Sequence, residues 1–138
     1  MTRLSIPAVF VRGGTSKGVF FHERDLPKDQ AARDRIILHA LGSPDPYQRQ
    51  LNGMGGGLSS LSKAVIIDKS AHPDADIDYT FAQVSVDRPI VDYAGTCGNL
   101  SASVAPFAID EGLIEVADGD VTVRVHITNT DKFYDAHV

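Results

Sequence analysis

Tyr93-Ala94-Gly95-Thr96-Cys97-Gly98-Asn99-Leu100 carries the chain from a small-residue turn into a helix, and the run Gly98–Asp110 behind it is largely apolar, with a stop near Gly112. The unpaired amides at a helix N-terminus attract anions and stabilise a thiolate. Cys97, the single cysteine of the chain, stands at that point. A free cysteine is often no more than a small buried apolar residue. Here Gly95, Thr96, Gly98 and Asn99 make its flanks a polar turn rather than a core strand, which favours a reactive thiol. The same amides can seat a carboxylate.

Outward from this helix the chain is dominated by strand patterns. Leu4–Arg12 is rich in β-branched and aromatic residues, with Pro7 suited to an edge or a bulge. Gly13–Gly18 reads as a turn, and Val19-Phe20-Phe21 as a second strand. A helix is expected from about Asp25-Leu26-Pro27 through Ala32, Ile36, Ile37, Ala40 and Leu41, ended by Gly42 and Pro44. Ser43–Ser62 is loop-like. Lys63–Lys69 is a short apolar strand. Ile77, Tyr79 and Phe81 alternate, and the pattern slips at Ala82-Gln83 before Val84 and Val86, which predicts a bulge. Val121, Val123, Val125 and Ile127 form a strictly alternating strand, after which the tail Asp131–Val138 shows no element of its own. Pro106 lies inside the second helix, where it removes a hydrogen bond and predicts a kink near Ala102 or fraying. Strands with two helices, without regular strand–helix alternation, make the class α+β.

Composition narrows the functions. The chain has 138 residues, 43% hydrophobic and 22% charged, which suits one folded domain. A net charge of -5 without a basic block or basic helix face argues against nucleic acid as a partner. The apolar runs are far short of the ~20 residues that span a bilayer, and the N-terminus lacks the apolar core of a signal peptide. With one cysteine there is no internal disulfide, so a reducing cytoplasm is expected. The five histidines show no ligand spacing, and no metal is expected. Neither Gly13–Gly18 nor Gly53–Gly57 fits a nucleotide fingerprint. Glycines there suit turns, or backbone open to a small anion. Lys63, taken alone, is a solvated charge at a strand edge. Only burial beneath the preceding glycine loop would bring it towards the working range of a base.

Five motifs, taken in order, go further. Val11-Arg12-Gly13-Gly14-Thr15-Ser16-Lys17-Gly18, Gly42-Ser43-Pro44-Asp45-Pro46-Tyr47, Asn52-Gly53-Met54-Gly55-Gly56, Ser60-Leu61-Ser62-Lys63 and Cys97-Gly98-Asn99-Leu100 together resemble the methylaconitate isomerase (PrpF) family, within the diaminopimelate epimerase-like superfamily. The resemblance implies a lobe of mostly antiparallel strands wrapped around a central helix, residues 1–138 being the N-terminal lobe of a two-lobed isomerase with the site in the cleft. It implies Lys63 and Cys97 as the acid/base pair. It gives Thr15 and Ser16, Asn52, Gly53 and Gly55, Ser62, and the amides of Gly98, Asn99 and Leu100 to substrate.

The implied reaction moves or inverts a double bond in an unsaturated di- or tricarboxylate without a cofactor. Within that resemblance, Ser43-Pro44-Asp45-Pro46-Tyr47 and Gly53-Met54-Gly55-Gly56 favour the 2-methylaconitate isomerases of propionate breakdown over oxalomesaconate tautomerases and methylitaconate isomerases. Which of Lys63 and Cys97 takes the proton stays open. With the second lobe missing, the resemblance implies a weak or inactive chain unless a complementing lobe or a homo-oligomer supplies it. A catalytically dead acid-binding fragment is the alternative from another class. An amino-acid epimerase would need a second cysteine.

Overall fold

The computed structural model describes residues 3–138. One mixed sheet carries two helices. Its strands are β1 (Val9–Gly13), β2 (Ser16–His22), β3 (Lys63–Lys69), β4 (Ile77–Val84), β5 (Val91–Asp92), β6 (Thr122–Ile127) and β7 (Lys132–His137), and its helices are α1 (Gln30–Leu41) and α2 (Gly98–Asp110). The order across the sheet is β1-β2-β3-β4-β6-β7, with β5 also paired to β4. The β2–β3 and β4–β6 pairs are parallel and the rest antiparallel.

Each helix covers one face. Phe20, Val65, Ile67, Ile77, Tyr79 and Phe81 pack with Leu100, Val104 and Phe107 of α2. Val19, Phe21, Ala64, Ile66, Ala82 and Val84 pack with Ile37 and Leu41 of α1. Period-two alternation sends neighbouring residues to opposite faces, so Ala64–Ile67, covered on both sides, is continuously apolar. The same division explains the slip in β4. Its pairing with β3 runs without a break from Ile77↔Lys69 to Gln83↔Lys63, and no bulge interrupts it. The apolar pattern changes phase because α2 buries the odd positions up to Phe81, while α1 buries Ala82 and Val84.

Five further expectations are corrected. The first strand is confined to Val9–Gly13, beyond Pro7, which has no amide for a ladder. The turn between β1 and β2 shrinks to Gly14-Thr15, because Gly13 already pairs with Ser16, and Ser16, Lys17 and Gly18 are strand. Helix α1 starts at Gln30: the Asp29 carboxylate accepts from the Ala32 amide at 3.0 Å, and Glu23–Asp25 form a separate 3-10 turn. The tail is strand β7, paired with β6 along its whole length. Helix α2 runs unbroken through Pro106 to Asp110.

The β6–β7 hairpin is clasped to β4 by His126, whose Nδ1 lies 3.1 Å from Asp78 and whose Nε2 lies 2.7 Å from Asp131. The bond to Asp131 above all, with Asp78 adding to it, raises the His126 pKa above its usual value of about 6.5. A raised folded-state pKa stabilises most below the unfolded value, and that stability is lost as pH rises through the folded one. Thermal stability is therefore expected to fall from pH 6 through neutrality, with the slope reduced in His126→Gln. Melting curves of the two proteins that stay parallel over this range would contradict the clasp.

Candidate active site

The register of the sheet and the start of α2 bring three polar side chains into an apolar shell. Ser16 opens β2 and Lys63 opens β3, both on the face that packs against α2. Cys97 is the N-cap of α2. Lys63 Nζ donates to Ser16 Oγ at 3.1 Å and to Cys97 Sγ at 3.2 Å, and Cys97 Sγ lies 3.7 Å from Ser16 Oγ. The three residues are 9%, 1% and 5% exposed for Lys63, Ser16 and Cys97, so this contact is screened from solvent far more than a surface ion pair. The Phe81 ring lies under the ammonium at 5.7 Å.

Burial alone would push the Cys97 thiol up, but the Leu100 amide, Lys63 and Ser16 outweigh it, and its pKa falls below the ordinary thiol range. The sulfur takes the Leu100 amide at 3.5 Å in the manner of a capping oxygen. The Leu100 amide, one of those expected to face substrate, is thus directed at the Cys97 sulfur in this structure. Gly98 and Asn99 are exposed residues at the helix start, where the first amides have no intrahelical partner. Side-chain packing brings the β1–β2 turn to them. A Cβ on Gly13 would meet the Asn99 carbonyl oxygen at 2.4 Å, and Gly14 turns at φ 52 against the Asn99 side chain, which donates to Thr15 Oγ1 at 3.2 Å. Thr15, Gly98 and Asn99 thus form an exposed polar rim beside the buried Ser16–Lys63–Cys97 cluster.

The second group of expected substrate contacts lies in the loop ahead of β3, where several of their polar groups have partners within the chain. Ser62 is fully buried, donates to the Val84 carbonyl at 2.8 Å and accepts from Gln50 Nε2 at 2.8 Å. The Gly53 amide goes to Gln50 O and the Gly55 amide to Leu41 O. Asn52 is exposed on a hollow it shares with Pro44, Tyr47 and Arg49, and among the described residues it makes no hydrogen bond to Ser16, Lys63 or Cys97. The organiser of this loop is Gln50, which sequence reasoning passed over. Its buried amide bonds Ser43, Ser62 and Gly57. A glutamine in a polar loop carries no sequence signal for such a role.

Gly53→Ala tests the packing role, because its Cβ would fall 2.2 Å from the Gly42 amide nitrogen and 2.4 Å from the Leu41 carbonyl carbon. Backbone cannot retreat as a flexible side chain does, so a loss of about 1–3 kcal/mol is expected in denaturant unfolding. An unchanged midpoint would return Gly53 to a ligand-binding role.

Around the pair, Tyr79 donates to the Cys97 carbonyl at 3.4 Å, and burial pushes its pKa up to about 12, so it stays protonated as a donor. Ser101 Oγ reaches the same carbonyl at 2.7 Å. Among the described residues no group of three or more histidine, cysteine or acidic side chains is placed to hold a metal ion. Among the described residues, no helix is long and apolar enough to cross a membrane.

The family model described as PrpF protein matches residues 3–138. The chain belongs to the PrpF family. It is 49% identical over 144 residues to a 2-methyl-aconitate isomerase of Cupriavidus necator, covering 99% of this chain and 36% of the relative. It is 51% identical over 136 residues to a 3-methylitaconate isomerase of Eubacterium barkeri, covering 99% and 35%. The crystal structure of a methylitaconate-delta-isomerase superposes with a TM-score of 0.92 at 52% identity, over 96% of this chain and 34% of that one. A probable proline racemase from Agrobacterium radiobacter shares the fold alone, with a TM-score of 0.55 at 14% identity over 88% of this chain and 34% of that one. These matches bear out the α+β, diaminopimelate epimerase-like class. The PrpF chain spans about a third of the length of the curated relatives it matches.

Proposed function

We propose that these residues form the first lobe of a two-lobed isomerase that relocates or inverts a double bond in a small unsaturated di- or tricarboxylate by cofactor-free proton transfer, with 2-methylaconitate as the first substrate to try. The observation that carries this reading is the 3.2 Å Lys63–Cys97 contact, with the Leu100 amide, Lys63 and Ser16 lowering the thiol pKa against the effect of burial.

In this reading Cys97 as thiolate removes a proton next to the conjugated system, and its sulfur becomes a thiol. Negative charge spreads over the carbon skeleton into a substrate carboxylate. The amides of Gly98 and Asn99, at the positive end of α2, stabilise that charge where it develops. Lys63, as ammonium, returns a proton to the new position and is left as amine. A proton passing from Cys97 Sγ to Lys63 Nζ over 3.2 Å restores the starting ion pair. Ser16, bonded to Lys63 and lying beside Cys97, holds the pair in line. Thr15, Gly98 and Asn99 are the residues offered to the carboxylates.

The names of the relatives support unsaturated acids over amino acids. The test is a panel of 2-methylaconitate, 3-methylitaconate and an amino acid bearing an acidic α-proton, followed by proton NMR. Double-bond movement in either unsaturated acid is expected. Racemisation of the amino acid, or inertness of a folded two-lobed protein towards both unsaturated acids, would overturn the proposal.

A further inference from the structure

The edge of β4 has a gap. β6 pairs with Ile77–Tyr79 and β5 with Gln83–Val84, so the peptide groups of Phe81 meet neither strand. Buried backbone groups must find partners, and here a side chain supplies them. Asn129, in the β6–β7 turn, accepts from the Phe81 amide at 2.8 Å and donates to the Phe81 carbonyl at 2.8 Å. Its remaining amide hydrogen goes to the Tyr93 carbonyl at 2.7 Å.

Both neighbours lead to the acid/base pair. The Phe81 ring lies under Lys63 Nζ. Tyr93 opens the segment Tyr93–Cys97, whose residues Ala94, Gly95 and Thr96 are exposed, with the Ala94–Asp92 turn contact as their only hydrogen bond among the described residues. This segment is therefore held at its far end by α2 and at its near end by Tyr93. Tyr93 is fixed twice, through its hydroxyl to Asp34 of α1 and through its carbonyl to Asn129.

We propose that Asn129 is a positioning residue that sets the distance between Cys97 and Lys63 by tying the Tyr93 end of the cysteine segment to the strand position beneath the lysine. The inference rests on the pair being the working one. It assigns no contact between Asn129 and substrate.

The chain has one cysteine, so the absorbance of its thiolate titrates Cys97 alone. Asn129→Ser is neutral and too short to reach Tyr93. Its Cys97 titration is expected to move up, towards the ordinary thiol value of about 8.5. Lys63→Met should raise the Cys97 titration in the wild-type background and add little in the Asn129→Ser background. In the two-lobed protein, a misplacement of this kind should lower kcat by about 10–10²-fold with KM little changed. Asn129→Gln, which keeps the carboxamide but shifts it by a methylene, serves if the serine variant does not fold, and should move the titration the same way.

A folded Asn129 variant whose Cys97 titrates as in wild type would overturn the inference. So would a wild-type titration indifferent to Lys63→Met. A shifted titration in a protein that moves no substrate proton would sustain this inference and sink the functional proposal. Wild-type titration with intact proton transfer would do the reverse.

Discussion

Cys97→Ser is expected to lower proton exchange into an unsaturated tricarboxylate by at least about 10²-fold, and up to about 10⁴-fold, the range general acid–base groups contribute. A serine hydroxyl is not a base near neutral pH, whereas the thiol here is drawn towards its thiolate by Leu100, Lys63 and Ser16. The substitution is otherwise conservative. Cys97 caps α2 by accepting from the Leu100 amide, and serine is among the best residues for that position. The melting temperature should therefore stay level or rise while exchange collapses. Mass-spectrometric deuterium uptake by substrate, set beside a thermal melt, measures both. Retained exchange in the folded variant would remove Cys97 from the mechanism. A collapsed melt would mean that its role is structural.

The second large effect is on stability. Phe107 is buried where α2 crosses the sheet, with its ring edge-on to Phe20 at 5.2 Å and 61° and against His22 at 5.5 Å. Phe107→Ala should cost about 3–5 kcal/mol, from lost transfer energy and the cavity left behind. A domain holds about 5–15 kcal/mol in all, so the melting temperature should drop by about 10–20 °C. The site has a particular stake in this residue. Pro106 already denies α2 one internal hydrogen bond, so packing of the following turn is what keeps the helix continuous. His22 Nε2, 2.8 Å from Glu111 at the helix C-cap, ties down the same end. A change below about 1 kcal/mol in urea unfolding would mean that this end of α2 is not packed as described.

Much of this was legible in the sequence, and the exceptions have physical causes. Apolar alternation located β4 and β6, a short apolar run located β3, and the apolar run Gly98–Asp110 located α2. Strand β7 was hidden because Lys-Phe-Tyr-Asp-Ala-His presents a half-exposed edge whose only strong requirement is its partner β6. The bulge expected at Ala82 was a change in which helix covers the sheet, and a one-dimensional pattern does not distinguish the two. Cys97 could be singled out from its turn and helix start alone. Lys63 could not, because a lysine before an apolar run is ordinarily solvated, and its partner lies 34 residues away. Lys63 as the partner of Cys97, and Ser16 as a substrate contact, came from resemblance. The glycines after Asn52 and the buried Ser62 fill close backbone approaches and a hydrogen-bonded loop in this structure. Asn129 gave no sequence signal, since the gap it fills is created by where β5 and β6 stop.

The most direct measurement of the central claim is deuterium incorporation into 2-methylaconitate in heavy water, by the two-lobed protein and by its Lys63→Met and Cys97→Ser variants. The Lys63–Cys97 pair predicts one deuteron placed at the end of the relocated or inverted bond by the wild-type protein, and exchange suppressed in both variants. Undiminished incorporation in either folded variant would contradict it.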